Sequence, residues 1–159
     1  MLHMLFICTG NTCRSPMAKA IFAQKSAEYG IQCTFSSAAI GFISTGGVSP
    51  SAVTVMNEIG LDISEHIPRS FREHDLDVTD IYIVMTTDHA KAITSLGVKK
   101  SKVHILGGGI PDPYGTDLVT YRRCRRLIED GVDELCRRVI EKFPYCVTDQ
   151  SRSLPESDG

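Results

Sequence analysis

The chain alternates apolar runs with stretches in which apolar residues recur every three or four positions. Leu2 to Ile7 is a continuous apolar run and predicts a strand. Cys33 to Ala38, Ile81 to Met85 and Val103 to Leu106 predict three more, with Cys33 taken as a small buried apolar residue. Between them the period is helical. From Pro16 to Tyr29, Met17, Ala20, Ile21, Ala23 and Ala27 form one face, with Ser15-Pro16 as entry and Gly30 as stop. Ser49-Pro50 repeats that entry before a helix through Val53, Met56 and Ile59, ending at Gly60. Thr87 or Asp88 is placed to cap a helix through Ala90, Ile93 and Leu96 to Gly97. The last helix runs from about Asp117 to Lys142 on a stripe of Leu118, Tyr121, Ile128, Val132, Leu135 and Val139. Gly131 inside it is expected to cost about 1 kcal/mol relative to Ala. Strands alternating with helices predict an α/β fold: one three-layer domain, a four-stranded parallel sheet with helices on both faces.

Composition narrows this picture without redrawing it. With 159 residues and 42% hydrophobic content, the chain suits a single domain, expected over 1–147. The polar tail 148–159 carries no hydrophobic pattern and is expected to be disordered. A formal charge of −2 gives no reason to expect nucleic acid or a membrane surface as partner. Arg122, Arg123, Arg125 and Arg126 read as a solvated helix face. No apolar run nears the roughly 20 residues of a bilayer span, and Met1-Leu2-His3 lacks a charged leader segment, so a cytoplasmic location is expected. The chain is also expected to be a monomer. Six cysteines in a chain of this size are expected as free thiols. The Cys8–Cys13 spacing lacks a second ligand pair, so no metal is expected.

The chemistry concentrates in Cys8-Thr9-Gly10-Asn11-Thr12-Cys13-Arg14-Ser15, between the first strand and the first helix. A turn there aims successive backbone N–H groups and a helix N-terminus at one point, and Gly10 permits close approach. That point suits a tetrahedral oxyanion. Cys8 opens the loop beneath the anion, and Arg14 closes it with a guanidinium that can fork onto two oxygens. A thiol in such a field favours the thiolate, and Cys8 reads as a nucleophile toward phosphorus. Asn11 is expected to prop the loop through its side chain. Asp112, beyond the fourth strand, is the candidate acid that protonates the leaving group and then activates water.

The motif CTGNTCRSPMA followed at a distance by Asp112-Pro113-Tyr114 resembles the low-molecular-weight protein tyrosine phosphatases over about residues 2–143. The resemblance implies hydrolysis of phosphotyrosine in proteins through a cysteinyl-phosphate, without a cofactor, on a phosphorylated protein or peptide partner. It implies that His66, in Asp62-Ile63-Ser64-Glu65-His66, supports Asn11, and that Ser15 hydrogen-bonds the Cys8 sulfur besides capping its helix. Phe42 or Ile43 would form apolar wall and Tyr114 would stack on a flat group. Cys13 would form a reversible disulfide with Cys8. Ser37-Ala38-Ala39 stands where the family usually has Ser-Ala-Gly, and Gly115 where many members have a second aromatic. Thr9 and Thr12 are similar to a bacterial branch that dephosphorylates arginine, which is the alternative substrate. A thiol-based arsenate reductase would need two more cysteines near 80–90, where YIVMTTDHAK has none. A non-catalytic phosphate-binding module would have no use for Asp112.

Overall fold

The computed structural model describes residues 1–43 and 46–148. Four strands form one parallel sheet in the order β2-β1-β3-β4: β1 His3–Cys8, β2 Thr34–Ala39, β3 Ile81–Val84 and β4 Val103–Ile105. β1 is central, with Met4 opposite both Phe35 and Ile81. Successive side chains of a strand point to opposite faces, and β1 feeds both cores in this way. Met4, Phe6 and Cys8 join the core against α1 (Arg14–Tyr29), α2 (Pro50–Asn57) and α5 (Leu118–Lys142). Leu5 and Ile7 join the core against α3 (Glu73–Val78) and α4 (Thr87–Ser95). The expected α/β domain with helices on both faces is therefore the observed one.

Element boundaries follow local chemistry. Gly30 ends α1 at φ +72°, where the left-handed backbone lets Ile31 N–H reach Ser26 O at 2.8 Å. Ser49 caps α2 by accepting from Ala52 N–H, with Pro50 at the first position. Two expected caps are displaced. α1 begins at Arg14, so Ser15 lies inside it and makes no cap. α4 is capped by Thr86, which accepts from His89 N–H at 3.2 Å, and not by Thr87 or Asp88, because β3 ends a residue earlier than the apolar run implies.

Two further expectations change. Arg125 is no solvated charge: it is 8% exposed, donates to Val55 O at 2.7 Å and, with Arg122, grips Glu58 at 2.8 Å, tying α2 to α5. Gly131 is no idle flaw either. A Cβ there would lie 3.0 Å from Leu106 Cγ and 3.1 Å from Gly107 N, so the glycine lets α5 pass closely over the turn after β4. At the other end, Thr148 is tied to Gly30 O by its N–H at 2.8 Å. The rest of the polar tail, 149–159, and Ser44 and Thr45 of the Gly41–Ser49 loop lie outside the described residues.

Candidate active site

The loop leaving β1 sits where a parallel sheet places ligands, beyond the carboxyl ends of its strands. It is held by Asn11, the only non-glycine residue at positive φ (+55°) among the described residues. Asparagine tolerates that conformation, and here both ends of its side chain are bound. Arg69 backbone N–H donates to Asn11 Oδ1 at 3.1 Å, which orients the amide. Asn11 Nδ2 then donates to Ser15 Oγ at 2.7 Å. Having accepted there, the Ser15 hydroxyl has its one proton for Cys8 Sγ, 2.9 Å away. Ser15 thus meets the sulfur, as the resemblance implied, while its capping role is absent. His66 Nε2–H donates to the backbone carbonyl of Asn11 at 2.9 Å, so its support goes to the main chain. Burial pushes the His66 pKa down.

The strap that carries these supports, residues 66–72, is itself pinned. Arg69 grips Asp75 with two nitrogens at 3.0 Å, and Asp75 also accepts from Arg72 N–H at 2.7 Å. Burial opposes the Asp75 charge, but the hydrogen bonds and charges of Arg69 and Arg72 together outweigh it and the carboxyl lies below its ordinary range. Arg69 was not singled out by the sequence, since its role lies in its backbone N–H and a partner six residues on.

Arg14 enters the cradle from the first residue of α1 and is 3% exposed. Its Nη1 donates to Ile110 O at 2.9 Å, which fixes the plane of the guanidinium. Nη2 lies 3.6 Å from Asp112 Oδ2 and 3.4 Å from Thr9 Oγ1. Nε is buried and has no partner among the described residues. Asp112 Oδ1 accepts from Tyr114 N–H at 3.1 Å and lies 4.0 Å from Cys13 Sγ. Burial, then the neighbouring Cys8 and Asp112, push the Cys13 thiol up to about 12, so it stays protonated.

Cys8, Thr9, Gly10, Thr12, Cys13, Arg14, Phe42, Asp112 and Tyr114 line one cavity of about 180 Å³. Phe42, 98% exposed, and Tyr114, 72% exposed, stand at its mouth. Asn11, Ser15 and His66 are not on this wall and hold it from behind. A second cavity of about 170 Å³, beside the starts of β3 and β4, has none of the loop's groups. The sequence reading missed His89, whose Nε2 is 2.9 Å from Thr9 Oγ1. Its position just beyond the end of β3 is the available signal. No cluster of three or more His, Cys, Asp or Glu able to hold a metal occurs among the described residues. Nor is any helix among them long and apolar enough to cross a membrane.

A thiol-bearing loop at the end of the first strand of a parallel sheet, with a buried arginine at its far end and a carboxylate 3.6 Å from that arginine, marks the ligand crevice of an α/β protein. The profile described as low molecular weight phosphotyrosine protein phosphatase matches residues 3–144, and the chain belongs to that family. It is similar to the probable low molecular weight protein-tyrosine-phosphatase EpsP of Ralstonia nicotianae, 34% identical over 141 residues, covering 86% of this chain and 94% of the relative. Arsenate reductase 1 of Staphylococcus epidermidis is also 34% identical, over 138 residues, covering 84% of this chain and 95% of that one. Among solved structures, a cysteine-to-serine mutant of the arginine phosphatase YwlE with a phosphorylated active-site serine superposes with a TM-score of 0.83. It is 27% identical and the match covers 90% of this chain and 99% of that one.

Proposed function

We propose that the protein is a phosphatase that hydrolyses phosphotyrosine in proteins through a cysteinyl-phosphate intermediate at Cys8. The observation that carries the reading is the convergence of Cys8, Arg14 and Asp112 on one cavity, with Arg14 Nε buried and unpartnered beside Nη2. An orphaned buried donor is costly, and a phosphoryl oxygen at that edge would satisfy it while Nη2 takes a second oxygen. The Cys8 sulfur attacks phosphorus as the bond to the leaving oxygen breaks, and Asp112 gives that oxygen its proton. The Ser15 hydroxyl, aimed at the sulfur, steadies its negative charge. In the second step Asp112 takes a proton from water, the water oxygen bonds phosphorus, and the S–P bond breaks to release inorganic phosphate and the thiolate. Loop amides and Arg14 stabilise the equatorial oxygens throughout. The phosphorylated active-site serine of the YwlE mutant supports a covalent intermediate at the corresponding position.

Phosphoaryl hydrolysis followed by stopped flow is expected to show turnover by wild type, none by Cys8→Ser, and a loss of roughly 10²–10⁴-fold in Asp112→Asn. Absence of turnover by wild type would instead indicate a phosphate-binding module. The arsenate reductase reading still lacks its further cysteines at 80–90. Six free thiols suit a reducing cytoplasm, and a phosphorylated protein or peptide is the partner the rim of Phe42 and Tyr114 would admit.

A second substrate is favoured by one observation. Thr12, two residues before Arg14, lies on the cavity wall, and its hydroxyl could hydrogen-bond a guanidinium that an aliphatic residue would exclude. Comparison of kcat/KM for phosphotyrosine and phosphoarginine peptides, in wild type and Thr12→Ile, decides between them. A tyrosine phosphatase keeps its ratio on substitution; an arginine phosphatase loses its arginine activity selectively.

A further inference from the structure

His89 stands next to the cradle without a role in the chemistry above. In the order β2-β1-β3-β4 the chain leaves β1 for one side and reaches β3 on the other, so the crevice beyond β1 and β3 is the switch point of the sheet. The segment leaving β1 carries Cys8 to Arg14. The segment leaving β3 carries His89, the third residue of α4, whose N–H is fixed on the Thr86 cap at 3.2 Å.

His89 is 6% exposed and meets the loop at one atom, Thr9 Oγ1, 2.9 Å from its Nε2. The same oxygen lies 3.4 Å from Arg14 Nη2. Thr9 has little freedom to choose another arrangement. A Cβ on Gly41 would come within 3.0 Å of Thr9 Cγ2 and of Thr9 O, so the threonine is packed tightly on that glycine's backbone. Its hydroxyl is left between imidazole and guanidinium. Arg14 has only donors, so Thr9 Oγ1 accepts from it, and the remaining bond of the hydroxyl is shared with Nε2. Nδ1 of His89 is buried with no partner among the described residues, which makes the Thr9 contact the ring's one polar anchor there.

We propose that His89 is a positioning residue that acts through Thr9 Oγ1 to fix the Arg14 fork which receives the phosphoryl oxyanion; this rests on the reading of the loop as a phosphate cradle. Ile110 O holds Nη1 on one side and the Thr9–His89 pair holds Nη2 on the other, so the guanidinium plane is set before the anion arrives. Burial, and next the Arg14 charge, bring the His89 pKa down to about 4 against the opposing pull of Asp112 and Asp88. The ring is therefore neutral at neutral pH and adds no second cation beside Arg14.

The test measures inorganic phosphate binding by calorimetry, and kcat and KM on an aryl phosphate, for wild type, Thr9→Val, His89→Ala, the double variant and His89→Gln. Each single loss is expected to weaken phosphate about three- to tenfold, the net worth of one hydrogen bond, and to lower kcat/KM in step. Because both act through one oxygen, the double variant should be no weaker than the worse single variant. Gln, which can place an amide nitrogen near Nε2, should return affinity to within about twofold of wild type. Additive losses, or unchanged phosphate affinity in His89→Ala with a lowered melting temperature, would overturn the proposal. Should His89→Ala fail to fold, Thr9→Val decides: wild-type phosphate affinity in it overturns the proposal, and weakened affinity alongside a wild-type-like His89→Gln supports it. Failure of wild type itself to bind phosphate would remove the cradle reading, a result distinct from either.

Discussion

At the scale of single residues, a histidine kept neutral by its surroundings makes folding depend on pH. His89 has an ordinary value of 6.5 and is brought to about 4 in the folded chain, chiefly by burial. Between these values the unfolded chain holds a proton that the folded chain lacks. The stabilising contribution is therefore complete above about 6.5 and is lost as pH falls toward about 4, on the order of 3 kcal/mol. Burial also lowers His66 and His104, so the whole protein weakens in the same direction. The measurement is a difference: urea unfolding at pH 7.5 and 4.5 is expected to show a smaller acid loss in His89→Gln than in wild type, and equal losses would contradict the buried neutral ring. At this scale the sequence exposed Cys8, Arg14 and Asp112 because residue type, spacing and strand context all marked them. Arg125 was misjudged and His89 passed over. Their roles depend on what stands opposite: Val55 O and Glu58 for Arg125, Thr9 for His89. None of those partners is set by the local pattern.

At the scale of elements, helix propensity and helix packing give opposite expectations for Gly131, and distance decides between them. In an isolated helix Ala would be better by about 1 kcal/mol. Here the added Cβ would press on Gly107 N at 3.1 Å, and a backbone atom yields less readily than a side-chain tip. Gly131→Ala is expected to destabilise by about 1–3 kcal/mol, seen as a lower denaturant midpoint with an unchanged slope. A raised midpoint would show that the turn after β4 can give way. The long apolar runs and helical stripes made the four strands and most helices readable, since burial dictates their period. α3 was not readable. Its six residues, Glu73 to Val78, are largely charged, and its first turn is fixed by Asp75, which accepts from Arg72 N–H and grips Arg69. The information for that element lies more in an ion pair than in a hydrophobic face, where Leu76 packs on the core.

At the scale of the whole molecule, the cradle is assembled from four stretches that the chain keeps far apart. Residues 8–15 supply the loop, Arg69 holds Asn11, His89 holds Thr9, and Ile110 and Asp112 meet Arg14. Each joins the loop by one or two polar contacts, so the cradle's order depends on all of them at once. An oxyanion that satisfies Arg14 Nε would bind the assembled arrangement and not its separated parts, and binding to one state alone stabilises that state. At phosphate one hundred times its dissociation constant the gain is about 2.7 kcal/mol. Hydrogen exchange should then slow in concert on adding inorganic phosphate: in the loop 9–15, at Arg69, in the first turn of α4 and around Ile110. The amides of β4 and of the far end of α5 make no contact with the loop and should be unmoved. Arg14→Met should abolish the concerted response, because the strap, α4 and the Ile110 segment would no longer share a ligand. Protection confined to 9–15 in wild type would mean that phosphate steadies the loop alone, and that the distant supports are not coupled to it through Arg14.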